Sequence, residues 1–359
     1  MKFALKCSPG QQIPRRSGRV AIIGAGPAGL GAAGHLICRG YEVDVYDRMP
    51  EPGGMMLFAI PNWRLPWSNV RAGVDELRKL GVNFFTGVKV VCDEEHQIEG
   101  DQFVRSKVHL EELIDRYDAV VIATGTWESR RLNIPGENLN GSYLALDYLF
   151  RIYASQHGYL PKSEVFKTGL RSMVVGAGLT AVDAAIESQM EGAKEVYLSY
   201  RRTINEAPAG KAEINRLIQR GVKLMELTLP VEVLGKEHVE AVKLIRMRLG
   251  KPDASGRPAP EPIPGSEFTV AVDTLIAAIG EVATPPMVKE CCGILLRHNR
   301  TIDTDQFGRT KRVGVFAAGD VTNGPTLIGK ALAHGMRVGQ YVESFLEAGG
   351  KKGSSWRQS

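Results

Sequence analysis

No apolar run among the 359 residues reaches the length of a membrane-spanning helix, and residues 1–18 hold no apolar signal core. The expectation is a cytoplasmic chain without membrane contact. Charge of one sign is scarce too. The 45 Lys and Arg stand against 40 Asp and Glu, and the formal +5 is spread along the chain. No basic block is interleaved with aromatics, so nucleic acid is not an expected partner. Cysteine is limited to Cys7, Cys38, Cys92, Cys291 and Cys292, none spaced Cys-x2-Cys or Cys-x4-Cys. An iron–sulfur cluster needs about four thiolates and structural zinc needs convergent Cys and His. Neither pattern is visible, so no metal is expected. The vicinal pair Cys291–Cys292 is open to redox chemistry, but buried apolar cysteines are the plainer expectation.

Glycine, in contrast, is abundant at 40 residues, and the length suffices for two domains. "RVAII" (19–23) is a short apolar run, read as a parallel strand buried on both faces. Gly24, Gly26 and Gly29 follow. The first permits a tight turn, the second lets a pyrophosphate approach the backbone, and the third lets a helix pack on the strand. Pro27 and Ala28 fall in the first helical turn, where the missing proline N–H does no harm. Gly40 ends the helix, and "YEVDVYD" is a second strand. It closes in Asp47, placed to take a ribose 2′-OH.

A related stretch returns as "RSMVVGAGLTAVDAA" (171–185). Gly176 and Gly178, then Leu179 and Thr180, open a second helix, and Ala181 stands at the third glycine position. The next strand ends in Arg201 and Arg202, where an acid would suit NAD. Guanidiniums pair with phosphate in bidentate fashion, so a 2′-phosphate and hence NADP(H) is expected, with a pair of solvated surface arginines at a strand end as the alternative. The fold class expected is α/β with two Rossmann-like dinucleotide-binding domains. Residues 1–17 read as a loose or partner-bound lead. The first domain is discontinuous, 18–127 and 282–359, and the second covers 128–281. Smaller expectations are a helix capped by Ser68 and closed by Gly81, and a helix at 211–221 with Ile214, Leu217 and Ile218 inward. Residues 251–264 read as a turn-rich connector, and 349–359 as a frayed tail.

"YDAVVIATG" (117–125), "RVGVFAAGDVTNGPTLIGKALAHG" (312–335) and "DRMPEPGGMM" (47–56) together resemble the flavoproteins with two dinucleotide-binding domains. That resemblance implies FAD on the first fingerprint, with Arg48, Gly54, Thr124, Gly125, Gly319, Asp320 and Thr326 in its site. The helix after Pro325 would aim its positive end at the flavin. Lys330 and His334 on that helix either face the flavin or are plain surface residues. "GGMMLFAIPNWRLP" (53–66), "LNIPGENLNGSYLALDYL" (132–149), "YRRTINEAPAG" (200–210) and the segment 250–280 are similar to the small subunit of NADPH-dependent glutamate synthase and its wider family. They depart from it at Ala59 and at the Gly-Ala-Gly-Leu turn.

The likeness implies hydride transfer from NADPH to FAD. Electrons then leave for an iron–sulfur partner or a glutamate synthase large subunit, in a hetero-oligomer. It adds Arg64 to the FAD site, facing either flavin or partner, with a structural salt bridge as the alternative. It adds Glu206, Ile279 and Gly280 to the NADP site, Glu206 touching either ribose or nearby backbone, with an acid at a helix start as the alternative. Longer members carry a cysteine-rich iron–sulfur domain ahead of the region matched here. The missing Cys pair disfavours transfer through a protein dithiol. A ferredoxin–NADP reductase or a non-catalytic FAD subunit are the alternative functions. Hydride transfer itself demands no catalytic side chain.

Overall fold

The computed structural model describes residues 1–92, 94–253 and 256–350. The chain divides into two compact units, one of residues 1–128 with the part from 281 onward, the other of 129–280.

In the first unit a parallel sheet has the spatial order Val315–Ala317, Ala119–Ile122, Arg19–Ile23, Glu42–Asp47, Asn83–Thr86. The glycine-bearing strand is central. Its Ala21 and Ile23 join one apolar cluster with Leu110, Leu113 and Ile114 of the helix Leu110–Arg116. The helix Pro27–Ile37 packs on the sheet and against the long helix Ile328–Glu347. Small residues allow that approach. A Cβ on Gly335 would stand 1.9 Å from the Ala28 carbonyl oxygen, and one on Gly31 would stand 2.7 Å from that of Leu332. Such spacing leaves room for backbone only.

The second unit repeats the plan. Its parallel sheet runs Lys223–Glu226, Glu195–Tyr200, Arg171–Val175, Thr274–Ala277, Ser142–Leu144. Again the glycine-bearing strand is central, its successor on one side and a late strand on the other. Antiparallel strands Thr228–Leu234, Ala241–Pro252, Pro258–Pro262 and Phe268–Ala271 are inserted before the late strand. The molecule is thus α/β with two dinucleotide-binding folds.

Several local expectations are corrected. The lead is not loose: Phe3, Ala4 and Cys7 are buried, and a Cβ on Gly34 would stand 2.2 Å from the Phe3 carbonyl oxygen. The cysteines are not all simple apolar residues, because Cys7 joins Cys38 and Cys92 joins Cys291. The helix Trp67–Leu80 is preceded by Pro66, so Ser68 lies inside it, and Gly81 ends it at φ +104°. In Lys211–Gln219, Ile214 and Leu217 are buried but Ile218 is exposed. Within the 251–264 segment Pro258–Pro262 is a strand that pairs with the end of Ala241–Pro252, not a turn-rich connector. Prolines are tolerated there because an edge strand leaves N–H positions unused. Beyond Gly350 the expected frayed tail lies outside the described residues.

Candidate functional site

The turn after Arg19–Ile23 is built on three different uses of glycine. Gly24 has φ +102°, and a Cβ there would stand 2.4 Å from the Ala123 carbonyl oxygen. Gly29 has an ordinary backbone, but its Cβ would stand 1.9 Å from the Gly24 carbonyl oxygen. At Gly26 a Cβ would meet nothing within 4 Å. The absent side chain at Gly26 therefore opens space outside the protein backbone, at the N-terminus of Pro27–Ile37, where helix N–H groups point outward. That is the space a pyrophosphate needs.

A cleft runs from this turn in two lobes that share Gly24, Asp47, Thr124 and Trp127. One lobe is lined by Gly26, Pro27, Ala28, Gly54, Gly125, Asp320 and Thr326, the other by Arg48, Lys89 and His96. The fold thus gathers most of the FAD-site residues expected from the sequence. Gly29 and Gly319 support the cleft from behind. A Cβ on Gly319 would stand 2.6 Å from that of Ala28. Arg64 does not line either lobe; it stacks on Trp63 at 4.9 Å. Trp127 was not expected, and its only sequence signal is its place two residues after the Thr-Gly turn. The guanidinium of Arg48 lies 4.7 Å from its ring.

Two buried polar atoms in the cleft have no protein partner, Thr124 Oγ1 and Arg48 Nη2. Buried donors and acceptors are ordinarily satisfied, so these atoms fit the ribityl, ribose and phosphate oxygens of a dinucleotide. Asp47 ends its strand buried. Its Oδ2 accepts from the Ala25 N–H at 2.5 Å and its Oδ1 from the Met49 N–H at 2.8 Å. Each oxygen keeps capacity for a second donor such as a ribose hydroxyl. Burial raises the Asp47 pKa against the pull of those two amides.

At the far end Asp320 Oδ1 accepts from the Thr326 hydroxyl at 2.6 Å, and burial raises its pKa as well. The Gly319 N–H donates to His334 Nδ1 at 3.0 Å. His334 therefore holds the Gly-Asp turn and carries its proton on Nε2. Burial, and then Arg337, lower its pKa. Lys330 is exposed.

The second unit rebuilds the first turn. Gly24 N–H donates to Tyr46 O and Gly176 N–H to Ser199 O, at 2.8 and 2.9 Å, one strand over in each case. Gly176 has φ +126°, with its Cβ position 2.2 Å from Ala278 O. Gly178 matches Gly26, with nothing within 4 Å of its Cβ position at the start of Leu179–Met190. Ala181 is fully buried and fills the third glycine position. Leu179 and Thr180 form the first turn, half-buried. Ile279 is half-exposed and Gly280 takes φ +110°.

The paired arginines part company. Arg201 is exposed, whereas Arg202 is 2% exposed and donates to Asp253 Oδ2 at 2.6 Å and Pro258 O at 2.8 Å. The hairpin that captures it has no signature in the glycine fingerprint. Glu206 closes a capping box, accepting from both the N–H and the hydroxyl of Thr203, which lowers its pKa.

The sequence profile described as Pyridine nucleotide-disulphide oxidoreductase matches residues 18–335. The chain is 33% identical over 335 residues to the glutamate synthase [NADPH] small chain of Halomonas elongata, covering 92% of this chain and 68% of that one. It is also 33% identical to the NADPH-Fe(3+) oxidoreductase subunit beta of Geobacter sulfurreducens, covering 95% of this chain but 52% of that protein. Among solved structures, FprA of Mycobacterium tuberculosis in complex with NADPH superposes with a TM-score of 0.74 at 23% identity, over 93% of this chain and 86% of FprA, a likeness of fold. No helix among the described residues is long and apolar enough to cross a membrane. Two glycine turns of one build, a cleft with unmatched buried polar atoms and a profile match over most of the length agree: the chain is an oxidoreductase of the pyridine nucleotide-disulphide oxidoreductase family.

Proposed function

We propose that this chain is the NADPH-oxidising component of a larger redox assembly, with FAD in the first unit, NADPH in the second, and an iron–sulfur protein as electron acceptor. The observation that carries it is the duplicated turn. Each unit places a helix N-terminus beside a glycine whose Cβ position is open, Gly26 and Gly178. Two such turns suit two dinucleotides. Bound FAD supplies a group that accepts a hydride and gives up electrons singly, which is what links a nicotinamide to a one-electron acceptor.

The chain's own residues bind and orient. Gly26, Pro27 and Ala28 receive the pyrophosphate, Asp47 and Arg48 the ribose end, and Thr124, Gly125 and Asp320 the ribityl end. The helix Ile328–Glu347 begins at the cleft, which Thr326, Ile328 and Ala331 line, so its positive end favours negative charge there. In the second unit Gly178, Leu179 and Thr180 take the nicotinamide dinucleotide's pyrophosphate. Exposed Arg201 takes the 2′-phosphate, while Arg202 shapes the loop from behind.

Both curated relatives named above are subunits, a small chain and a subunit beta. The partner is accordingly read as a glutamate synthase large subunit or another iron–sulfur protein. Anaerobic addition of NADPH to the purified protein tests the reading. Rapid bleaching of the oxidised flavin band is expected. An unchanged spectrum would leave FAD as a structural group.

A further inference from the structure

Three of the five cysteines meet at one point. Cys92 follows the strand Val88–Val91, and Cys291 and Cys292 lie 199 and 200 residues further on. In the structure Cys92 and Cys291 are joined, and Cys292 Sγ lies 3.4 Å from Cys92 Sγ and 3.3 Å from Cys291 Sγ. All three sulfurs fall within 4.8 Å of one another. Cys92 is buried in an apolar cluster that also holds Leu110, Met287 and Ile294, and the other two, half-buried, pack against that cluster.

The loop is tied down on both sides. The Cys92 N–H donates to Pro286 O at 2.8 Å, and the Ile294 N–H donates to Cys291 O at 2.9 Å. Cys292 takes φ +54°, which is unfavourable for a residue with a Cβ. Such a conformation persists only where the surroundings enforce it, and it marks functional positions more often than ordinary loops. Here it brings a third sulfur to a pair that already satisfies the connection between the two segments.

We infer that, once a dithiol reductant has opened the Cys92–Cys291 bond by thiol–disulfide exchange, itself leaving as the cyclic disulfide, the three thiolates form a binding site for one thiophilic d¹⁰ metal ion of the zinc or copper(I) class. Thiolates select such ions over hard cations. A Zn–S bond of about 2.3 Å places tetrahedrally arranged sulfurs ~3.8 Å apart. The observed separations of Cys292 from the other two need to widen by only a few tenths of an ångström. Among the described residues no fourth His, Cys or carboxylate joins the group, so water or a small anion would complete zinc, and copper(I) would be three-coordinate.

Binding displaces three thiol protons. Oxidation of Cys92 and Cys291 to the disulfide removes two electrons and two of the three ligands, so the disulfide and metal forms exclude each other. The site lies outside the dinucleotide cleft, behind Pro286 at its Asp47 end, and does not depend on the function proposed above.

The test uses the full chain in a Cys7→Ser, Cys38→Ser background, which removes the other two thiols. After anaerobic reduction, zinc is titrated against a chromophoric chelator. One zinc per chain is expected. Removing a ligand should weaken affinity by more than the roughly 10–100-fold typical of outer-shell changes, so Cys292→Ser should bind at least about a hundredfold more weakly. Diamide, as the oxidant, should abolish binding in the parent chain. Cobalt(II) provides a second readout on that unsubstituted trio, with a sulfur-to-metal charge-transfer band expected. No stoichiometric zinc in the reduced chain, equal affinity in Cys292→Ser, or a cobalt spectrum without that band would each overturn the assignment.

Discussion

At the scale of single residues, glycines that look alike in the sequence have opposite roles. Gly26→Ala adds a methyl to open space on an extended backbone, φ −78° and ψ −176°. The folded protein should melt within a degree or two of the parent, yet lose most of its flavin if, as proposed, the pyrophosphate lies in that open space. Gly29→Ala drives a methyl into a carbonyl oxygen 1.9 Å away. It should cost about 1–3 kcal/mol of stability as an overpacked site. Melting temperature and bound-flavin absorbance, measured on both variants, separate the two roles.

His334 gives a pH signature at the same scale. Its Nδ1 must stay unprotonated to accept from Gly319, and its pKa is lowered from 6.5 by burial and by Arg337. A histidine with a depressed folded pKa contributes stability above its unfolded value, and that contribution is lost as pH falls through the folded value. The melting difference between the parent and His334→Leu should therefore be largest above pH 6.5 and shrink below it.

At the scale of elements, the hairpin formed by Ala241–Pro252 and Pro258–Pro262 decides what two neighbouring arginines do. Both stand at the end of Glu195–Tyr200, and the expectation of two guanidiniums for one phosphate follows from that position alone. The hairpin supplies Asp253 and the Pro258 carbonyl to Arg202 and leaves Arg201 outside. Arg201→Ala should raise KM for NADPH about 10- to 100-fold, the loss of a charged hydrogen bond of about 1.5–3 kcal/mol, with melting unchanged. Arg202→Ala should instead lower stability. The cost is about 1–3 kcal/mol, because Asp253 is 33% exposed and water can solvate it once the partner is gone. Steady-state kinetics and thermal melts on the pair check both.

At the scale of the whole molecule, the proposal gives each of two units, built on a similar parallel sheet, its own dinucleotide. Gly178→Ala should retain full flavin content while losing rapid reduction by NADPH. Gly26→Ala should lose flavin while its second unit still binds NADP⁺, measurable by calorimetry. Loss of both ligands in either variant would contradict the assignment of one dinucleotide to each unit.

The strands, the two turns and the helices after them were legible in the sequence, because each depends on local rules: apolar runs for buried parallel strands, and glycine where a Cβ has no room. Gly26 and Asp47 of the first unit's cleft were legible for the same reason, whereas Thr124 and Asp320, which line it too, were reached only through the family resemblance. What only the tertiary structure decided are the meetings of distant segments. Nothing near Arg202 announces Asp253, nothing near Phe3 announces Gly34, and spacing along the chain cannot show that Cys92 lies beside Cys291 and Cys292. Backbone geometry is encoded within a few residues, whereas the partner of a charge or a sulfur depends on which surfaces the completed fold presses together.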